Sequence, residues 1–180
     1  MELKSTVMDE TAVRRSMARI THEIIEKNKG TDDLMFLGVR RRGVPLAQML
    51  AENVERFEGT KIPVGYVDIS LYRDDLTEKK DKPETGESYI PFDVTGKKVI
   101  IVDDVIYTGR TARAAIEAVF DHGRPQEIQL AVLIDRGHRE LPIRPDYVGK
   151  NLPTSRTEVV SVQVEEIDGT TGVALYSLKE

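Results

Sequence analysis

Residues 99–111, which read VIIVDDVIYTGRT, are the most informative stretch of the sequence. Four apolar residues predict a buried strand, and this strand delivers two adjacent carboxylates, Asp103 and Asp104. The run TGRT at residues 108–111 then predicts a turn that opens a helix. Free amides and a positive dipole end make a helix N-terminus suitable for a phosphate, and Gly109 permits close backbone approach.

The same stretch also offers side chains that suit a sugar phosphate. Asp103 and Asp104 could accept hydrogen bonds from a ribose diol, and the hydroxyls of Thr108 and Thr111 could donate to a phosphate. These requirements together describe a cradle for ribose 5-phosphate. An acidic strand end followed by a capped helix is the alternative; it accounts for the two aspartates but poorly for the whole pattern. The segment lacks the Gly-Lys-Ser/Thr of a P-loop and the three spaced glycines of a dinucleotide fingerprint.

Predicted helices and strands alternate on both sides of this segment. Residues 9–28 are predicted to form an amphipathic helix that is capped by Asp9 and ends before Gly30. A second helix is expected from near Pro45 to Gly59, and a third over residues 111–122. The predicted strands cover residues 34–39, 62–72, 97–102, 128–134, 159–164 and 173–178. This order predicts an α/β fold with a mostly parallel sheet flanked by helices, and ligands bind beyond the carboxyl ends of such strands.

Composition limits the class of protein. With 39% hydrophobic and 32% charged residues, the chain fits one soluble globular domain over residues 1–180. Neither a membrane span nor a signal peptide is visible, which predicts a cytoplasmic protein without membrane association. The absence of cysteine excludes disulfides and thiol catalysis. A net charge of −5 argues against indiscriminate coating of nucleic acid, although it allows a local basic face.

Residues 101–111 resemble the signature with which type I phosphoribosyltransferases bind 5-phosphoribosyl-1-pyrophosphate (PRPP). The resemblance implies that the two aspartates hold the ribose hydroxyls while the amides of the turn hold the 5′-phosphate. It also implies a pyrophosphate loop at residues 38–43, with a strained or cis peptide near Arg40 and Arg41. The implied PRPP-binding residues are Val102, Asp103, Asp104, Tyr107, Thr108, Gly109, Arg110, Thr111, Arg40, Arg41, Arg42 and Gly43.

Displacement of pyrophosphate builds positive charge on the ribose and negative charge on the leaving group. Mg²⁺ bound with PRPP would stabilise this separation together with arginines, for which Arg40, Arg42 and Arg73 are the candidates. The predicted catalytic residues are Asp103, Asp104 and Arg73. The predicted metal contacts are Asp103, Asp104 and Asp135, acting largely through PRPP and water. Residues 73–89 are polar and aperiodic, which predicts a mobile loop over the site.

Further features narrow the resemblance. Tyr107 stands where purine salvage members usually carry an aspartate, which argues against purine transfer. Residues 133–155 closely resemble the bacterial regulators of pyrimidine operons that have uracil phosphoribosyltransferase activity, and the match extends over about residues 9–176. It implies a base-side segment at residues 135–158 and a base site at Ile134, Asp135 and Arg136. Arg41 departs from the pattern, because threonine is more frequent at its position in that family.

Two classes of function stay open. One is an enzyme that makes UMP and pyrophosphate from uracil and PRPP; the other is a regulator that senses UMP or UTP and binds pyrimidine-operon leader RNA to control transcription attenuation. The resemblance implies both in one chain that forms a homodimer or homotetramer. A plain pyrimidine salvage enzyme is the alternative. The predicted RNA-binding residues form two basic clusters, one of Arg15, Arg19 and His22 on a helix face and one of His138, Arg139, Arg144 and Lys150. Without the family, the helix cluster also fits an ordinary solvated stripe.

Overall fold

The computed structural model describes residues 1–74 and 87–179. Its elements in chain order are β1 (Glu2–Met8), α1 (Glu10–Lys27), β2 (Leu34–Val39), α2 (Gly43–Glu58), β3 (Val64–Val67), β4 (Lys98–Ile106), α3 (Arg110–Phe120), β5 (Glu127–Asp135), β6 (Tyr147–Asn151), β7 (Glu158–Gln163), α4 (Glu165–Asp168) and β8 (Gly172–Ser177). Most of the predicted mobile loop at residues 73–89 lies outside the described residues and stays a prediction.

Strand β4 lies at the centre of a five-stranded sheet. The strand order is β3-β2-β4-β5-β6, and every pairing in it is parallel. Ile100 and Val102 face a core shared with α1 and α2, whereas Val99 and Ile101 face a second core shared with α3. Coverage on both faces explains why the strand reads as a continuous apolar run. The predicted α/β fold with a parallel sheet is confirmed.

The helix boundaries follow local chemistry. Asp9 caps α1, because its side chain accepts the amide N–H of Ala12 at 2.8 Å. Helix α2 begins at Gly43, two residues earlier than Pro45, and ends at Gly59, whose φ of 70° is in the left-handed region. Within the described part of the chain, no helix is both long and apolar enough to cross a membrane.

Several elements differ from the sequence-based expectations, among them the short helix α4, which was not predicted. The strand predicted over residues 62–72 covers only Val64–Val67, because Asp68 starts a turn by accepting the amide N–H of Ser70 at 2.9 Å. Strand β1 was not predicted; its residues are mostly exposed and polar, and it is an edge strand of the antiparallel sheet β1-β8-β7. Strand β6 was also missed, since its five residues include Gly149 and Lys150.

Candidate active site

Asp103 and Asp104 lie near the end of β4, which continues to Ile106 and is longer than predicted. One oxygen of each carboxylate is held by the next backbone amide. The N–H of Asp104 donates to Asp103 Oδ1 at 2.8 Å, and the N–H of Val105 donates to Asp104 Oδ1 at 2.8 Å. The orientation of both carboxylates is therefore set by the backbone.

Holding two negative charges side by side at this position is electrostatically unfavourable. Burial raises the pKa of the Asp103 carboxyl well above its ordinary value, and the negative charge of Asp104 raises it further. A buried carboxylate of this kind is stabilised by a cation or by hydrogen-bond donors such as a sugar diol. The pair is therefore a place where a ligand would relieve an electrostatic cost.

The turn after β4 leads directly into α3. Gly109 has a φ of 95°, a backbone conformation that favours glycine, and it precedes α3 without a side-chain cap. The hydroxyl of Thr108 accepts the N–H of Arg110 at 3.3 Å. A cavity of about 130 Å³ adjoins this turn, and it is lined by Asp103, Val105, Ile106, Tyr107, Thr108, Gly109, Thr111, Ala112, Leu130 and Val132. The uncapped first turn of α3 leaves amides that could bind an anion.

The predicted pyrophosphate loop packs tightly between β2, β4 and α2. A Cβ atom on Gly38 would lie 2.5 Å from the carbonyl oxygen of Gly43, and one on Gly43 would lie 2.3 Å from the carbonyl oxygen of Val102. Only glycine fits at these two positions. The Arg40–Arg41 peptide bond is cis, as the resemblance implied.

The predicted phosphate-binding arginines differ in their surroundings. Arg40 is exposed and lies 3.5 Å from Asp68. Partial burial would raise the pKa of Asp68, but hydrogen bonds from Ser70 and the charge of Arg40 lower it overall. Arg41 is exposed and forms no ion pair within residues 1–74 and 87–179. Arg73 and Arg110 line one cavity beside the start of α3.

Arg42 is bound within the protein. Its guanidinium donates to both carboxylate oxygens of Asp168, from Nε at 3.2 Å and from Nη2 at 2.7 Å. This hydrogen bond raises the pKa of Arg42 and lowers that of Asp168. No sequence pattern pointed to Asp168, which lies on the short helix α4 far along the chain.

A cavity of about 520 Å³ opens beside Asp104. It is lined by Met1, Arg42, Asp104, Val159, Val160, Ser161, Val162 and Tyr176. Strand β7 therefore forms one wall next to the predicted ribose site. The sequence analysis predicted β7 as a strand but assigned it no part in the site, because an alternating closing strand carries no residue of unusual chemistry. The base site predicted at residues 134–136 stays a prediction.

Arg136 is almost fully buried, with 8% of its surface exposed. Its guanidinium donates to Thr154 Oγ1 at 3.1 Å and to the carbonyl oxygens of Ser155 and Glu158 at 3.0 and 2.8 Å. It also lies 4.1 Å from the centre of the Tyr107 ring. The side chain predicted to border the base thus fastens the base-side segment to the turn after β4. Ile134 is buried in the core.

His138 and Arg139 lie against the pocket. Arg139 donates to the carbonyl oxygen of Tyr107 at 2.8 Å and to Asp135 Oδ2 at 2.7 Å. The ring of His138 meets the Tyr107 ring edge-on at 5.7 Å, and its Nε2 is hydrogen-bonded to the carbonyl oxygen of Thr154. The structure therefore brings these two predicted RNA-binding residues to the turn after β4 and to the base-side segment.

The remaining basic residues include a group at the edge of the sheet formed by β6. Arg19 on α1 donates to the carbonyl oxygens of Val148 and Gly149 at 3.1 and 2.6 Å. It thereby joins its helix face to the strand that carries the exposed Lys150. Arg15 and Arg144 are also exposed, while His22 is exposed and stacks on the Phe57 ring at 4.3 Å.

The described residues include no group of three or more His, Asp or Glu side chains that could hold a metal ion by themselves. Asp103 and Asp104 nevertheless provide hard oxygen donors, which Mg²⁺ prefers. Asp135 is bound to Arg139, so any contact that it makes with a metal would compete with this ion pair.

Comparison with known proteins identifies the class. A family model described as the phosphoribosyl transferase domain matches residues 5–167, and the chain belongs to this family. The hypoxanthine phosphoribosyltransferase of Trypanosoma cruzi superposes with a TM-score of 0.74 at 19% identity, covering 96% of this chain and 95% of that one. A hypoxanthine-guanine phosphoribosyltransferase of Bacillus anthracis gives 0.71 at 19% identity, with coverage of 98% and 99%. At these identities the likeness concerns the fold.

Curated relatives define the group within the family. The protein of Clostridium perfringens strain 13 is 61% identical over 176 residues, which are 98% of this chain and 99% of the relative. That of Thermus thermophilus is 57% identical over 176 residues, or 98% and 97%. Both are named bifunctional protein PyrR. The chain is a phosphoribosyltransferase of the PyrR group, and the predicted membership is confirmed.

The raised pKa of Asp103 predicts a direct effect on stability. Between the ordinary value of 3.8 and the higher value in the fold, the folded state keeps a proton that the unfolded state has lost, so stability falls as pH rises. Asp103→Asn should therefore raise the free energy of unfolding at pH 7 by about 0.5–2 kcal/mol. Urea unfolding of both proteins over a series of pH values measures this.

Asp93→Asn is the control with the opposite sign. The backbone N–H of Thr95 lowers the pKa of Asp93 by hydrogen bonding, so this substitution should not stabilise the protein. If Asp103→Asn were less stable than wild type at pH 7, the carboxylate would not carry the electrostatic cost assigned to it.

Proposed function

We propose that the chain transfers the phosphoribosyl group of PRPP to uracil, giving UMP and pyrophosphate, and that uridine nucleotides in the same pocket control its binding to pyrimidine-operon leader RNA. The observation that carries this proposal is the arrangement at the end of β4. Two backbone-oriented carboxylates, Asp103 and Asp104, are followed at once by the uncapped N-terminus of α3. Carboxylates suit the ribose hydroxyls, and the amides suit the 5′-phosphate.

The two ends of PRPP would then lie on different elements. The 5′-phosphate would lie in the cavity at the turn, where Thr108 and Thr111 add hydroxyl donors. The pyrophosphate would extend toward the loop that packs on β4 through Gly43. Arg40, Arg41 and Arg42 follow β2 at this edge, and their charges would stabilise the negative charge that develops on the leaving group.

The acidic pair fits a divalent cation brought in with PRPP. Asp103 and Asp104 would hold Mg²⁺ together with oxygens of PRPP, and the ion would supply positive charge to the departing pyrophosphate. The pKa of Asp103, which burial raises, gives this fit a physical reason, because a nearby cation would favour the charged carboxylate.

The base would occupy the part of the cavity beside Asp104 that β7 lines, and the part that Arg42 lines would receive the pyrophosphate. Strand β7 offers backbone groups from Val159 to Ser161 along one wall, and backbone N–H and C=O groups can pair with the amide edge of uracil. Tyr107 provides no carboxylate for a purine nitrogen, and its ring is covered by Arg136. Both features favour uracil over hypoxanthine or guanine.

The RNA surface would lie at the edge of the sheet formed by β6. Arg19 ties α1 to this strand, so that Arg15, His22 and Lys150 can belong to one surface, with Arg144 in the loop before the strand. His138 and Arg139 would connect this surface to the pocket, because Arg139 contacts both Asp135 and the turn after β4. RNA and nucleotide would then raise each other's affinity by the same factor. We expect a homodimer or homotetramer in the cytoplasm.

Substrate selection tests the enzymatic half. Asp104→Asn should weaken the binding of PRPP with Mg²⁺ in calorimetry while leaving the fold intact, because it removes a charged acceptor for the ribose hydroxyls. In an assay with radiolabelled bases, the wild type should form nucleotide from uracil and far less from hypoxanthine. Efficient transfer to hypoxanthine with none to uracil would contradict the assignment.

Salt dependence tests the regulatory half. Lys150→Gln and Arg15→Gln should each reduce the salt slope of leader-RNA binding by roughly one if they contact phosphates. Lys61→Gln is the matched control, because Lys61 is exposed next to β3, at the opposite edge of the same sheet. UMP should tighten RNA binding by the wild type. If no pyrimidine-gene leader binds to the wild type, a plain salvage enzyme becomes the better assignment. If Lys150→Gln and Arg15→Gln both keep the salt slope of the wild type, the proposed RNA surface is wrong.

A further inference from the structure

An ion pair ties the pyrophosphate loop to the far end of the chain. Nε and Nη2 of Arg42 each donate to one carboxylate oxygen of Asp168, at 3.2 and 2.7 Å. Two parallel bonds of this kind fix the plane of a guanidinium as well as its position. The pair is partly shielded from water, since the side chains are 34% and 17% exposed. It therefore differs from the exposed ion pairs within single helices, which add little.

The Asp168 carboxylate also accepts a hydrogen bond from the backbone of its own helix. The backbone N–H of Val164 donates to Asp168 Oδ2 at 2.9 Å, across the single turn of α4. Helix α4 follows β7 directly, and β7 lines the cavity beside Asp104. The carboxylate is thus fixed to the wall of that cavity.

Arg42 is fixed from its backbone side as well. Gly43, the next residue, approaches the carbonyl oxygen of Val102 so closely that a Cβ atom would lie 2.3 Å away. Asp168 occupies two N–H groups of the guanidinium, and within residues 1–74 and 87–179 the others make no hydrogen bond, so they can bind a ligand. Arg42 and Asp104 line the same cavity. A ligand that contacts Asp104 can therefore reach the unused edge of Arg42.

We propose that Asp168 is a positioning residue for the transfer reaction. It orients Arg42 so that the free N–H groups of the guanidinium face the anionic part of PRPP in the cavity shared with Asp104. Asp168 does not touch the substrate. The inference rests on the proposed PRPP site and adds a residue from the C-terminal part of the chain to it.

If Asp168 acted only through its negative charge, removing it would change the affinity for PRPP in the opposite direction. A measurement can therefore decide between the two roles. Removing a negative charge close to a site for a polyanion should strengthen the binding of that anion. Loss of orientation should weaken it, because a mobile guanidinium must be ordered again on binding. The sign of the change in PRPP affinity therefore separates a positioning role from a merely electrostatic one.

The test is Asp168→Asn, which nearly preserves the size of the side chain but removes its charge. Calorimetry with PRPP and Mg²⁺ should give a dissociation constant roughly tenfold higher, the effect expected when a binding group loses its orienting partner. In steady-state assays the KM for PRPP should rise while the KM for uracil stays unchanged. Arg42→Gln should weaken PRPP binding by itself, and adding Asp168→Asn to it should cause no further loss.

Lys4→Met is the matched control. Lys4 on β1 pairs with Glu158 on β7 at 2.8 Å, so this variant breaks an ion pair in the same small sheet without touching Arg42. Its PRPP affinity should equal that of the wild type. If Asp168→Asn fails to fold, Asp168→Glu keeps the charge but moves the carboxylate, and it should bind PRPP less tightly than the wild type.

The outcomes are distinct. Unchanged or tighter PRPP binding by folded Asp168→Asn overturns the positioning role and leaves the proposed function intact. So does a double variant whose loss is the sum of the two single losses. A wild-type protein that binds no PRPP overturns both the inference and the proposed function.

Discussion

Strand β4 is buried on both faces and must still carry two charged side chains to a ligand. Its residues from Val99 to Val102 alternate between the two hydrophobic cores, so a charged side chain would be buried in apolar surroundings anywhere in this part of the strand. Asp103 and Asp104 come directly after Val102, the last residue of β4 that pairs with β2, where its partner is Gly38. The carboxylates therefore emerge at the carboxyl edge of the sheet, and the position of the site follows from the burial of this strand.

The other parts of the site depend on how closely they approach this edge. The pyrophosphate loop reaches it because Gly38 and Gly43 have no side chains to keep the backbones apart. The later part of the chain is attached by two arginines. Arg136 binds residues 154–158 and covers Tyr107, while Arg42 reaches Asp168. Both guanidinium groups are hydrogen-bonded to other parts of the protein. These two charged side chains therefore also hold the walls of the pocket together.

Patterns of adjacent residues predicted the helix ends and turns that adjacent residues determine. The Asp9 cap, the glycine end of α2 and the turn into α3 each depend on a few adjacent residues, and the structure has all of them. Helix α1 ends at Lys27, with Asn28 rather than the predicted Gly30 as its C-cap. Strand β1 and the partners of Arg136 and Arg139 depend on contacts with distant residues, which periodicity does not encode. The contact of Arg139 with the carbonyl oxygen of Tyr107 could not be predicted for the same reason, and the place of Arg139 on an RNA surface stays a prediction.

The central claim is that the end of β4 and the first turn of α3 form one binding site for a ribose phosphate. The most direct measurement is a titration of ¹⁵N-labelled protein with PRPP and Mg²⁺, followed through the backbone amide resonances. The largest shifts are expected at residues 104–112, where the amides would meet the phosphate and hold the carboxylates. Shifts confined to α1 and β6, with those amides unchanged at saturation, would contradict the claim.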